Sequence, residues 1–174
     1  MSSSGAWLRQ ANFDMHAANC LVECNSEVLY CQITAKCQQV VEKSVKAIAA
    51  ELTERGIVTL TISFTHNIDA LIKTMIITPH VRKNNSVPEY ISSMLRNNLP
   101  EIKVLMSLAP RKPADSDSLP RNTEYPFHNE RSVLIAPSDS DIFTKTETAG
   151  HLKVAGAVLK QARKLIVVTK LSPS

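Results

Sequence analysis

An all-α fold, an up-and-down bundle of four to five helices with a long Pro-rich loop before the last one, is what the 174-residue sequence predicts. Apolar residues recur at three- and four-residue spacing in long stretches, the period of helices that bury one face. Only the turn signal Asn25-Ser26 separates the first two stretches, and so short a connection makes long helices antiparallel neighbours. A single segment alternates as a strand would, and a lone strand has nothing to pair with. The length fits one domain with a sizeable core. We expect a flexible tail at residues 1–5 and one helical domain at 6–171.

Leu8, Ala11, Met15, Ala18 and Val22 trace one stripe beside Trp7, so the first helix is expected from about Ala6 to Glu23. Ser26 is a suitable N-cap for the second helix. Ile33, Cys37, Val40, Val41, Val45, Ile48 and Leu52 carry that helix from about Glu27 to Glu54, and Gly56 ends it. Gln39, Lys43 and Lys46 share an adjacent face, and Glu42 precedes Lys46 at the spacing of a local ion pair. Ile57 to Phe64 is the strand-like segment, read here as extended loop.

Thr65-His66-Asn67 opens a short helix through Ile68, Leu71, Ile72 and Met75, with His66 a capping or packing residue. Pro79 to Asn85 is a basic, polar loop containing His80, Arg82 and Lys83. A further helix starts at Val87-Pro88 and runs through Tyr90, Ile91, Met94 and Leu95. Pro100 either kinks it or restarts it through Ile102, Val104, Leu105 and Leu108. From 110 to 141 the prolines Pro110, Pro113, Pro120, Pro126 and Pro137 forbid a continuous helix, and loops of that length are usually functional or disordered. Thr144-Lys145-Thr146-Glu147 reads as a capping box for a last helix through Leu152, Ala155, Leu159, Ala162 and Ile166.

Composition narrows the function. Hydrophobic residues make up 44% and aromatic residues 5%, so the core is aliphatic. A net charge of +4 permits an anionic partner without requiring one. From Phe143 to Leu171, Lys145, Lys153, Lys160, Arg163, Lys164 and Lys170 face a single acid, Glu147, which marks either a solvated helix face or one wall of a phosphate groove. With only four glycines there is no phosphate-cradling loop, so any nucleotide is held by side-chain charge and hydrogen bonds. His16, Cys20 and Cys24 share a helix face, but without a Cys-x-x-Cys pair Cys20, Cys24, Cys31 and Cys37 read as small buried hydrophobes rather than metal ligands. No metal or other cofactor is expected. Nor does any apolar run approach the length of a membrane span, or the start read as a secretory signal, so a cytoplasmic location without a membrane partner is expected.

Four fragments, in order, resemble the HEPN family of small helical bundles linked to nucleotide binding and RNA cleavage. The first is Trp7-Leu8-Arg9-Gln10-Ala11 with Asp14, Ala17 and Ala18. The second is Gln38-Gln39, then Glu42-Lys43, then Lys46-Ala47. Thr65-His66-Asn67-Ile68 with Leu71 is the third, and Tyr125-Pro126 followed by Phe143-Thr144 and the Ala-rich helix is the fourth. The Tyr-Pro arrangement and the long loop look closest to the branch containing the C-terminal domain of the chaperone sacsin.

That resemblance implies a non-enzymatic domain for homodimerisation and for binding a nucleotide, RNA or another phosphate-bearing ligand. The dimer would form through the two long N-terminal helices or the last helix. Lys43, Lys46, Arg121 and Arg163 are the expected phosphate contacts. A larger chaperone-like protein or a nucleotidyltransferase is the implied protein partner. The family's ribonuclease branch supplies the alternative, an Arg, a polar residue and a His, matched here by Arg121, Asn122 and His128. In such an enzyme His128 is the base and Arg121 stabilises phosphorane charge without metal. Pro120 and Pro126 keep that motif off a regular helix, and Glu124 puts an acid where phosphate would approach.

Overall fold

The computed structural model describes residues 3–60, 68–77, 89–108, 121–124, 127–128, 133–139 and 142–170. Among them are five α-helices: α1 (Ser3–Glu23), α2 (Tyr30–Glu54), α3 (Ile68–Ile77), α4 (Glu89–Ser107) and α5 (Lys145–Lys170). A 3-10 turn at Glu27–Leu29 leads into α2. The all-α class expected from periodicity is the class observed. One feature was not foreseen: a short antiparallel pair, β1 (Phe127–His128) with β2 (Leu134–Ile135), within the segment joining α4 to α5.

α2 is the central helix. Every residue from Ser44 to Leu52 is buried, so this helix is enclosed rather than laid on a surface by one face. The small residues Ala47, Ala49 and Ala50 face its neighbours where bulk would hold the helices apart, while Val45, Ile48 and Leu52 fill the core with Leu95, Leu105, Leu159 and Ile166. Burying each such aliphatic side chain stabilises the fold by roughly 1.5–3 kcal/mol. The start of α1 meets the end of α2, the start of α5 meets the start of α2, and the end of α4 returns to Gln38. α1 and α4 therefore run antiparallel to α2, whereas α5 packs parallel to it, its end reached by Arg55.

The ends are built by identifiable chemistry. α1 begins at Ser3, so residues 3–5 are helix and not the expected tail. Ser3 Oγ donates to Glu54 Oε1 at 2.9 Å and Ser4 Oγ to Glu51 Oε2 at 2.9 Å, which sets acidic groups against a helix N-terminus. Burial works against ionising Glu54, but bonds from Ser3 and Ser4 outweigh it and hold the carboxyl below its usual range. At this same end of α2, Gly56 takes φ 68°, its N–H bonds Thr53 O, and Ile57 N–H bonds Leu52 O. This is a Schellman closure, and it explains why a glycine ends the helix. Ser26 has extended backbone as an N-cap should, yet makes no side-chain cap bond.

Pro100 neither breaks nor restarts its helix. α4 continues through it as one 19-residue element, with the proline exposed. Ile57 to Leu60 form no strand, and residues 61–67, including His66, lie outside the described residues, as do Pro79 to Asn85. Of the four cysteines only Cys31 and Cys37 are buried; Cys20 and Cys24 are exposed, which corrects the expectation that all four serve as core hydrophobes. Burial pushes the Cys37 thiol up to about 12.

Candidate functional site

Two polar clusters contain the residues singled out from the sequence. The first is the seam between α1 and α2. Gln39, Lys43 and Lys46 do share a side of α2, but that side turns towards partners inside the bundle rather than to solvent. Lys43 Nζ bonds the buried Asp14 carboxylate of α1, and Lys36 approaches the same group at 3.6 Å. Lys36 Nζ also donates to Gln39 Oε1 at 2.9 Å. Lys46 is 2% exposed; it pairs with Glu42 at 2.7 Å, as the four-residue spacing suggested, and lies 4.8 Å over the Trp7 ring. On α5, Arg163 stays exposed and donates Nε–H to Asn12 Oδ1 at 2.7 Å, tying α5 to α1.

Arg121 anchors the second cluster, where the segment after α4 returns to the bundle. Its guanidinium donates to both oxygens of Glu147 at 3.0 and 2.8 Å and to the Ile142 carbonyl, and it covers the Phe143 ring at 4.5 Å. Glu147 was expected to close a capping box. Thr144 Oγ1 does accept the Glu147 N–H at 3.2 Å, while the Glu147 carboxylate is held by Arg121. Asn122 is fully buried, and its Oδ1 accepts the Glu124 N–H at 2.9 Å, a local turn. His128 enters this description through its backbone in β1, paired with Leu134; its ring lies outside the described residues.

Thr123 shows why this segment docks where it does. Its N–H bonds Leu108 O at 3.2 Å and its hydroxyl bonds Gln38 Oε1 at 3.1 Å, while Gln38 Nε2 donates to Leu105 O at 2.9 Å. Thr123 thus satisfies Leu108 O just past the end of α4, while Leu105 O accepts Gln38 in addition to the Leu108 N–H at 3.3 Å. Gln38 thus fastens α2, α4 and the long connection together.

Beside Arg121 lies a residue that sequence reasoning missed. His151 of α5 is 6% exposed, and its Nδ1 shares a hydrogen bond with Thr34 Oγ1 at 3.1 Å. Burial pushes its pKa down; nearby Glu147 raises it and Arg121 lowers it, with a net fall. The available signal was a histidine on the same helical stripe as Ala155, Val158 and Ala162, a titratable group among apolar residues. A groove of about 380 Å³ between α4 and α5 is lined by Pro100, Glu101, Val104, Glu147, His151 and Val154. Its two carboxylates make it a poor seat for phosphate.

The family model described as HEPN domain matches residues 4–100, more than half of the chain, and the chain belongs to that family. The match covers α1, α2, α3 and the first part of α4; Arg121, His151 and α5 lie beyond it. Searches of curated proteins and of solved structures gave no match. No described helix is long and apolar enough to cross a membrane.

Proposed function

We propose that this HEPN domain is a non-enzymatic module that forms homodimers and binds a phosphate-bearing ligand, RNA or nucleotide, through the outer face of α5. The observation carrying this reading is the exposure of Lys153, Lys160 and Lys164, which recur at seven- and four-residue intervals along one side of that helix. None of the three has a carboxylate partner among the described residues. Lys164 lies 4.3 Å over the ring of Tyr90, which adds an aromatic edge to the basic stripe. Arg163, oriented by Asn12, extends the stripe towards α1.

Of the expected phosphate contacts, Arg163 keeps that role in this proposal. Lys43, Lys46 and Arg121 give their charge to Asp14, Glu42 and Glu147, and we assign them to holding the fold. The same engagement of Arg121 and the burial of Asn122 speak against a ribonuclease acting through Arg121, Asn122 and His128. A place within a larger chaperone-like protein, on the sacsin-like branch, is supported by the Tyr125-Pro126 resemblance. A nucleotidyltransferase is the other protein partner consistent with the family reading.

The test is fluorescence anisotropy with labelled single-stranded RNA in EDTA at two salt concentrations, with cleavage followed on gels and mass by light scattering. The expected result is salt-sensitive retention by a dimer, without cleavage. Retention should weaken about tenfold or more when Lys153, Lys160 and Lys164 become Gln. Cleavage that disappears in His128→Ala would overturn the non-enzymatic reading. Undiminished retention by the triple variant would overturn the assignment to α5.

A further inference from the structure

We propose that His16 and Cys20, on the outer face of α1, form a two-ligand binding site for a borderline-soft divalent cation of the zinc class. The site uses no residue of the basic stripe proposed for phosphate and does not rest on that reading. A four-residue spacing sets the two side chains one turn apart on the same side of the helix. Helical zinc sites pair two ligands at this same spacing. Both residues are exposed, so Cys20 serves no core and an ion reaches the pair without opening the bundle.

The separation of the two ligating atoms carries the proposal. His16 Nε2 and Cys20 Sγ lie 3.7 Å apart. Zinc bonds of about 2.05 Å to nitrogen and 2.3 Å to sulfur, opened to the tetrahedral angle, place those atoms about 3.6 Å apart. An ion therefore seats between them without a change in the helix. On binding, Nε2 supplies its lone pair while Nδ1 carries the ring proton, and the thiol releases its proton to solvent as the sulfur–metal bond forms. A nitrogen–sulfur donor set selects zinc-like ions over magnesium and calcium, which require oxygen.

The local field favours a cation. Cys20 stands in the last turn of α1, at the carbonyl end of a 21-residue helix, where positive charge is stabilised. That turn contains no basic residue, and the exposed Glu23 ends it. Cys24 is not a ligand of the same ion. Eight residues put it about 12 Å along the axis from His16, and its thiol is turned to the Cys20 carbonyl at 3.4 Å. Among the described residues no group of three ligating side chains gathers, so the pair is the whole protein contribution. Two positions of the tetrahedron are left to solvent, which makes the ion exchangeable rather than structural.

The probes are Zn²⁺, titrated into the reduced full chain and followed through the His16 imidazole nitrogen resonances, and Co²⁺, followed through its thiolate charge-transfer absorption. One equivalent of Zn²⁺ should saturate the His16 shift, with Nε2 moving as the ligating nitrogen, and excess Mg²⁺ should leave it unchanged. His16→Ala and Cys20→Ser should each weaken Zn²⁺ at least about tenfold, and Cys20→Ser should abolish the cobalt–thiolate band. Cys24→Ser should leave both signals as they are. All three positions are exposed, so the metal-free melting temperature should not move in any variant. Absence of a saturable His16 shift, unchanged binding by His16→Ala, or a thiolate band that survives Cys20→Ser would each overturn the proposal. So would a loss in Cys24→Ser as large as that in His16→Ala, since the ion would then sit between the two thiols.

Discussion

On α2, Lys36, Lys43 and Lys46 each reach a carboxylate, shared or private, and the last is almost entirely enclosed. On α5, Lys153, Lys160 and Lys164 stand exposed, with no such partner among the described residues. Both helices are long and both are rich in apolar residues. What differs is the neighbour: α1 presents Asp14 to α2, and α2 supplies its own Glu42, whereas no acid follows Glu147 on α5. A lysine's destination is therefore set by acids that a helical wheel of its own element does not show. The Lys46 ammonium lies over the Trp7 ring and pairs with Glu42 at once, so burial and charge coexist at that position.

The largest effect should come from breaking the seam. Asp14→Ala strips the acid from Lys43 and Lys36 and leaves a partly enclosed cation uncompensated. Urea denaturation should show a loss of about 2–3 kcal/mol. Converting Lys43 to Met in the same protein should recover part of it, because an apolar replacement of both partners removes the unpaired charge. If Asp14→Ala were as stable as the parent, the lysines of α2 would behave as surface cations and the contrast with α5 would collapse. Arg121→Ala is next. Its side chain is 39% exposed, so solvent screens the Glu147 pair, and a loss of about 1 kcal/mol is expected with RNA retention unchanged.

A smaller effect should appear on acidification. His151 has its folded pKa below the ordinary 6.5, because burial disfavours the imidazolium. The unfolded chain therefore takes up the proton first as pH falls. Stability is full above 6.5, is lost between 6.5 and the lower folded value, and changes no further below it. One proton can contribute at most about 1.4 kcal/mol per pH unit. His151→Gln, which keeps a partner for Thr34, should flatten that part of the profile. An unchanged slope would mean that His151 is not held neutral by its surroundings.

Much of this architecture was legible because it is local. Periodicity located the apolar faces, Gly56 marked a Schellman end, and Thr144 capped α5. The errors share a cause. Ser3 and Ser4 read as tail because the carboxylates that anchor them, Glu51 and Glu54, arrive from the far end of the next helix. The spacing of Lys43 and Lys46 on α2 shows Glu42 but not Asp14, which reaches Lys43 from the preceding helix. Gln38 and Thr123 meet across most of the chain, and nothing at either position announces the other. His151 was visible as a polar break in an apolar stripe, but its partner Thr34 was not. Tertiary pairing, and not helix propensity, decided each of these positions.

The smallest effect on stability and the clearest test of the contrast belong to α5. Lys153→Gln, Lys160→Gln and Lys164→Gln remove three exposed charges. Without carboxylate partners to strand, they should change stability by no more than about 0.5 kcal/mol each. Their effect should appear instead in the salt dependence of polyanion binding. Each phosphate contact on a single strand contributes about 0.7 to the slope of log affinity against log salt, so removing three should lower that slope by about 2. Replacing Lys43 with Met, by comparison, should leave the slope alone while altering stability. If instead the Lys43 change lowered the slope and the α5 changes did not, the two helices would exchange roles: the seam would open to ligand, and the outer stripe would be only a solvated face.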